Sequence, residues 1–139
     1  IKRWNLSERA FFGHGACHIL AHAYMLRFPK SEFYAVWIKP DEEFRGNHVF
    51  VTNGIMAFDY RGYLTESRLT SYHQTQYEFA YPGWGAKMVR VEGNLCDAVE
   101  MQKIGMQIRG PNEFLHDAMP RACSYLNKYD DMHGYYVTL

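Results

Sequence analysis

Residues 47–63 read NHVFVTNGIMAFDYRGY, and this stretch decides the fold. Two short apolar runs flank Asn53-Gly54, a pair that tolerates positive φ and is the strongest local signal for a tight β-hairpin. His48 opens the first strand and Asp59 ends the second. A two-residue turn folds the second strand back on the first, so these two polar side chains near the open ends come within reach of one another.

N-terminal to the hairpin, ACHILAHAYMLRF (16–28) sets Ala16, Ile19, Leu20, Ala23, Leu26 and Phe28 at helical spacing until Pro29 stops it. NLSERAFFGHG ahead of it ends in a glycine-flanked turn, which puts Cys17 in the first helical turn. EFYAVWIKP (32–40), rich in aromatic and β-branched residues, reads as a strand closed by Pro40, and the acidic DEEFRG after it as a solvated loop. Beyond the hairpin, TESRLTSYHQTQYEFAY (65–81) predicts a helix starting near Thr65 and halted by PGWG. AKMVRVEG (86–93) is a further strand. NLCDAVEMQKIGMQI (94–108) and PNEFLHDAMPRACSYLNKY (111–129) read as two helices, the second with Pro111 in its first turn and a kink at Pro120. The expected class is α+β, an antiparallel sheet packed by helices in one domain over residues 1–139.

Composition narrows the function. Fifteen Lys+Arg balance fifteen Asp+Glu, and the basic residues are scattered, so no global field draws the chain onto nucleic acid. No apolar run is long enough to cross a bilayer, and membrane insertion is not expected. Cys17, Cys96 and Cys123 form no spaced pair and leave one odd. They read as free thiols, which suits a reducing cytoplasmic setting, with secretion as an effector the other reading. The aromatic content, 11 Tyr and 9 Phe, reads as core packing.

The chemistry gathers around Cys17. At a helix start, the partial positive charge and unpaired backbone N–H groups favour a thiolate and can donate to a developing oxyanion. A thiolate needs a base and proton donor, for which His48 is the candidate, and a third group to orient that ring, for which Asp59 is the candidate.

GACHILA followed by HVFVTNGIMAFDY resembles the papain-like and transglutaminase-like cysteine enzymes, over residues 13–63. In these a cysteine starts a helix, a histidine lies on a following strand, and Asp or Asn comes next. The resemblance implies a papain-like or transglutaminase-like core with the nucleophile at a helix N-terminus. It implies Cys17 as nucleophile, His48 as general base and acid, and Asp59 as orienting group. It implies acyl transfer on a protein, peptide or other amide substrate through a thioester, as a peptidase, amidase, deamidase or transglutaminase, with no cofactor and no metal. Papain has an oxyanion glutamine upstream of its cysteine and a tryptophan just after it; here no glutamine precedes Cys17 and His18 follows it. His14 and Asn5 are then the positional candidates for a second oxyanion donor, and His18 for a pocket-lining residue.

Other readings stand beside this one. His18 and His22, spaced i, i+4, with His14 or Cys17, suggest a zinc site, although the glutamate of the HExxH pattern is missing. A non-catalytic binding module on the same fold is the alternative from another class. Trp84 in YPGWG either walls a groove or packs in the core. His73, with Gln74 and Gln76, fits a solvated helix face; His116 and His133 read as structural, and Cys96 and Cys123 as buried thiols.

Overall fold

The computed structural model describes residues 2–137. The chain runs α1 (Glu8–Gly13), α2 (Cys17–Arg27), β1 (Tyr34–Pro40), β2 (His48–Thr52), β3 (Met56–Asp59), β4 (Gly62–Thr65), α3 (Glu66–Ala80), β5 (Ala86–Val91), α4 (Ala98–Gln102), a 3-10 turn (Pro111–Glu113), α5 (Met119–Asn127) and α6 (Asp130–Val137). The five strands form one antiparallel sheet in the order β4-β3-β2-β1-β5. The α+β class with an antiparallel sheet is as expected.

Strand alternation divides the interior into two layers. Ala35, Trp37, Val49, Val51, Met56 and Phe58 face α1, α2 and α5, where Phe11, Phe12, Ile19, Tyr24 and Leu126 fill the larger core. Val36, Ile38, Phe50 and Ala57 face the other way and pack with Leu69 of α3 and with Trp84. Helices therefore cover both faces of the sheet. Phe11, Phe12 and Tyr24 are fully buried, each contributing roughly 1.5–3 kcal/mol on the scale for large apolar side chains. Leu26, expected in the core from its spacing, is 61% exposed, because α2 is apolar over more than one face and only part of it can meet the sheet.

The hairpin forms at Asn53-Gly54, but with a longer loop than a two-residue turn. Thr52 pairs with Ala57 and Val51 with Phe58. Asn53 Oδ1 accepts from the N–H groups of Ile55 (3.0 Å) and Met56 (2.8 Å), Gly54 lies at φ +96°, and Thr52 Oγ1 donates to the Met56 carbonyl. The register is displaced by two residues from that of a two-residue turn. A shift of two preserves the face, so His48 and Asp59 stay on the same side of the sheet, diagonal rather than directly opposite.

Other boundaries differ from expectation. Residues 94–108 are helical only at Ala98–Gln102, with Asp97 Oδ1 accepting from Val99 and Glu100 N–H and with Gly105 at φ +83° beyond the helix. Pro120 does not kink a helix; it sits in the first turn of α5, where its missing N–H costs nothing. The 111–129 stretch is accordingly a 3-10 turn, a loop and then α5. α1, the short strand β4 and α6 carry too few periodic residues to be read beforehand. Among the described residues, no helix is long and apolar enough to cross a membrane.

Candidate active site

Cys17 is the first residue of α2, after the turn Gly13-His14-Gly15, with Gly15 at φ +110°. Its sulfur accepts a hydrogen bond from the Val49 N–H at 3.3 Å. That donor is available because the β2–β3 ladder spans only Val51–Thr52 and Ala57–Phe58. A strand N–H points in the plane of the sheet, so the sulfur sits at the open edge of β2, beside His48.

His48 is 1% exposed and Asp59 3%. The His48 Nε2–H donates to Asp59 Oδ2 at 2.9 Å, which leaves Nδ1 for the Cys17 sulfur. Asp59 also accepts from the Arg61 guanidinium at Oδ2 (2.5 Å) and from the Arg61 N–H at Oδ1 (2.8 Å), so one carboxylate holds both the imidazole and the β3–β4 turn. Arg61 lies over the Tyr60 ring, and Tyr60 stands edge-on to His48.

The electrostatics follow from this chain of contacts. Burial by itself raises the Cys17 thiol, but hydrogen bonds from His18 and His48 and their charge outweigh it and bring the thiol from 9.0 down to about 5. Burial by itself lowers His48; the hydrogen bonds to Asp59 and Cys17 and their negative charge outweigh it and push the imidazole from 6.5 up to about 9. Burial raises the Asp59 carboxyl, yet the His48 hydrogen bond and the charges of His48 and Arg61 hold it below its ordinary value. The two opposite shifts favour a thiolate beside an imidazolium near neutral pH.

His73 belongs to this site and not to a solvated helix face. It is 4% exposed, its Nε2–H donates to the Gly46 carbonyl at 2.6 Å, and its ring stacks on His48 with centroids 5.4 Å apart and an 18° interplanar angle. Burial, then the positive charge of His48, lowers it to about 4, so it lies neutral against the imidazolium. Leu69, four residues earlier, is buried on the same face of α3, a spacing that marks His73 as inward-facing.

Cys17 and His48 open into a cleft of about 570 Å³, walled by Trp37, Asn47, Val49, His18 and the segment 105–109, with Arg3 at its edge. Asn47, directly before His48, was not singled out from the sequence. Trp37 Nε1 donates to Asn47 Oδ1 at 2.9 Å, which leaves the amide hydrogens to a ligand. His18 lines the cleft as expected, but its Nε2–H is committed to the Arg109 carbonyl at 2.6 Å. The other candidates do not come together here. Asn5 is exposed and outside the cleft, and His14 is exposed on an adjoining depression, where its carbonyl accepts from Arg3 Nη1 (2.9 Å). Trp84 is 4% exposed, stacks on Tyr77 and donates from Nε1 to the Arg45 carbonyl (2.7 Å), so it walls no groove.

His14, Cys17, His18 and His22 do not converge as zinc ligands. Among the described residues, no group of three or more His, Cys, Asp or Glu is placed to hold a metal ion. The three cysteines are free and half-buried rather than fully buried, and burial pushes the Cys96 thiol up to about 11. Neither a protein-family model, nor a curated protein, nor a solved structure matches the chain.

Proposed function

We propose that this protein is a thiol-dependent acyl-transfer enzyme acting on amide bonds of proteins or peptides, with Cys17 as nucleophile, His48 as acid and base, and Asp59 as the orienting group. The observation that carries the reading is the buried hydrogen bond from His48 Nε2 to Asp59 Oδ2, on an imidazole raised to about 9 beside a thiol lowered to about 5. A merely structural thiol in an apolar setting shifts the other way, as Cys96 does. A cysteine at the start of α2 followed by antiparallel strands carrying His and Asp also favours a papain-like or transglutaminase-like core.

In the proposed reaction the Cys17 sulfur lone pair forms a C–S bond to the amide carbonyl, and the π pair moves to oxygen. Backbone N–H groups at the start of α2 and the Asn47 amide, which lines the same cleft, supply donors for that oxyanion. Collapse breaks the C–N bond, and the departing nitrogen takes the proton from His48 Nδ1, leaving a thioester. His48 then removes a proton from water as its oxygen adds to the thioester carbon. The C–S electrons return to sulfur, and an acid is released. An amine in place of water gives transfer, and a glutamine side chain as substrate gives deamidation.

The test is the rate of Cys17 alkylation by iodoacetamide against pH, in wild type and His48→Ala, with the modified site assigned by mass spectrometry. The expected wild-type midpoint is about 5, moving towards the ordinary thiol range in the variant. Turnover of any amide substrate found should fall by roughly 10²–10⁴-fold on loss of the acid–base group. A thiol that is sluggish and indifferent to His48 would sink the enzyme reading and favour a binding module.

A further inference from the structure

Around the Cys17 sulfur the cleft is lined by basic side chains. Besides Cys17, its titratable side chains are Arg3, His18, His48 and Arg109, and among the described residues no carboxylate lines it. The adjoining depression, lined by Lys2, Arg3, Leu6, His14 and Arg109, holds no carboxylate of the described residues either. In a chain with balanced charge, this is a local concentration. Arg27, Arg61 and Arg121 each pair with an Asp or Glu; Arg3 and Arg109, like Arg9, Arg45, Arg68 and Arg90, make no ion pair among the described residues.

Specific contacts hold the Arg3 guanidinium over the turn that leads into Cys17 and the Arg109 backbone beside the residue that follows it. Arg3 Nη1 donates to the His14 carbonyl, and its guanidinium lies so close over Gly15 that a Cβ there would collide with it. The turn that carries Arg3 is pinned by Arg121, which donates to the carbonyls of Trp4 (2.6 Å) and Leu6 (2.7 Å). The Arg109 main chain is held by His18, the residue after Cys17. Both arginines line this one cavity together with Cys17, and the Arg109 guanidinium also lies 6.0 Å from the centre of the Phe114 ring.

We infer that the substrate carries a carboxylate close to its reacting amide, held by the guanidinium groups of Arg3 and Arg109. The inference rests on the acyl-transfer reading of Cys17. A planar guanidinium offers paired N–H donors that match a carboxylate, and the fixed positive charge raises the local concentration of anionic substrate. The carboxylate comes either from an acidic side chain or from a free C-terminus.

Three thiol labels on one scaffold separate these sources: N-iodoacetylglutamine amide, which is neutral; N-iodoacetylglutamate α-amide, with a side-chain carboxylate; and N-iodoacetylglutamine, with a terminal carboxylate. The readout is the ratio of Cys17 labelling rates on the same protein, so a general change in thiol reactivity cancels. At low salt one or both anionic labels should react about tenfold faster than the neutral one, and the faster of them tells which carboxylate is taken. In an Arg3→Gln/Arg109→Gln variant, and at high salt, the ratio should fall below about twofold. Equal rates for all three labels overturn the inference. So does a preference that the double variant retains, since the His48 imidazolium would then account for it. A Cys17 inert to all three labels overturns the acyl-transfer reading first, and this inference with it.

Discussion

Asp59 answers two demands with one carboxylate: it holds the His48 ring and closes the β3–β4 turn through Arg61. Asp59→Asn keeps an oxygen acceptor but removes the charge that helps to raise His48. On the proposed acyl-transfer reading, the alkaline limit of turnover, set by loss of the His48 proton near 9, should therefore move to lower pH, and the acid limit, set by the thiol near 5, should move less. Proton NMR titration of His48 checks this; an unmoved midpoint would mean that Asp59 only positions the ring. The variant also leaves the half-covered Arg61 guanidinium without its counter-charge, at a cost of roughly 1.5–3 kcal/mol for hydrogen bonds to a charged group. His73 shows how a residue's meaning depends on where its helix faces: in a polar sequence it reads as solvated, yet it is the lid over the catalytic candidate's ring.

The element that aims the thiol is α2, but its approach is set by the N-terminal turn packed over it. Arg121 of α5 ties that turn down with its bonds to Trp4, Leu6 and Glu8, and its guanidinium lies over the Phe11 ring. Arg121→Ala should cost about 2–3 kcal/mol, the range for charge-assisted hydrogen bonds in a partly buried setting. Limited proteolysis should then cut first within residues 2–7, while α2 and the alkylation midpoint of Cys17 persist. Cleavage beginning elsewhere would show that the turn is held by other contacts. The β2–β3 hairpin makes the complementary point. β3 ends at Asp59, where the chain turns into β4, so its ladder with β2 stops at Val51–Phe58 and leaves the Val49 N–H for the sulfur.

For the whole molecule, the shifted groups fix how stability depends on pH. Cys17, lowered from 9.0 to about 5, contributes fully above its unfolded value, and that contribution is lost as pH falls through about 5. His48, raised from 6.5 to about 9, contributes fully below 6.5, and its share is lost as pH rises through about 9. Between 6.5 and 9 the folded chain holds the His48 proton and the unfolded chain the Cys17 proton, so the two slopes cancel. Between about 5 and 6.5 the unfolded chain binds the extra protons, those of Cys17 and of His73, which is lowered to about 4, with His22 and His133, both also lowered, acting in the same direction. Stability should rise there by about 1.4 kcal/mol per pH unit for each such proton. Thermal melts should thus give a Tm that climbs from pH 5 to 6.5 and stays level to pH 9. A steady fall across 6.5 to 9 would mean that His48 is raised without a matching thiolate.

The sequence by itself determined what short-range physics controls: the Asn53-Gly54 hairpin, the helix that begins at Cys17, the start of α3 at Thr65, and the strands that Pro40 and the aromatic runs mark. It also placed Cys17, His48 and Asp59 on elements whose ends meet, because period and turn chemistry are local. What lies across the sheet was decided only by tertiary packing. Trp84 and His73 became core and cover because α3 closes the far face, and Asn47 became a cleft wall because Trp37 on β1 holds its oxygen. Arg3 and Arg109 came to line the cleft of the thiol because Arg121 ties the N-terminal turn to α5 and His18 ties the Arg109 backbone to the start of α2. These contacts join residues up to 117 positions apart, and no local pattern encodes a separation of that kind.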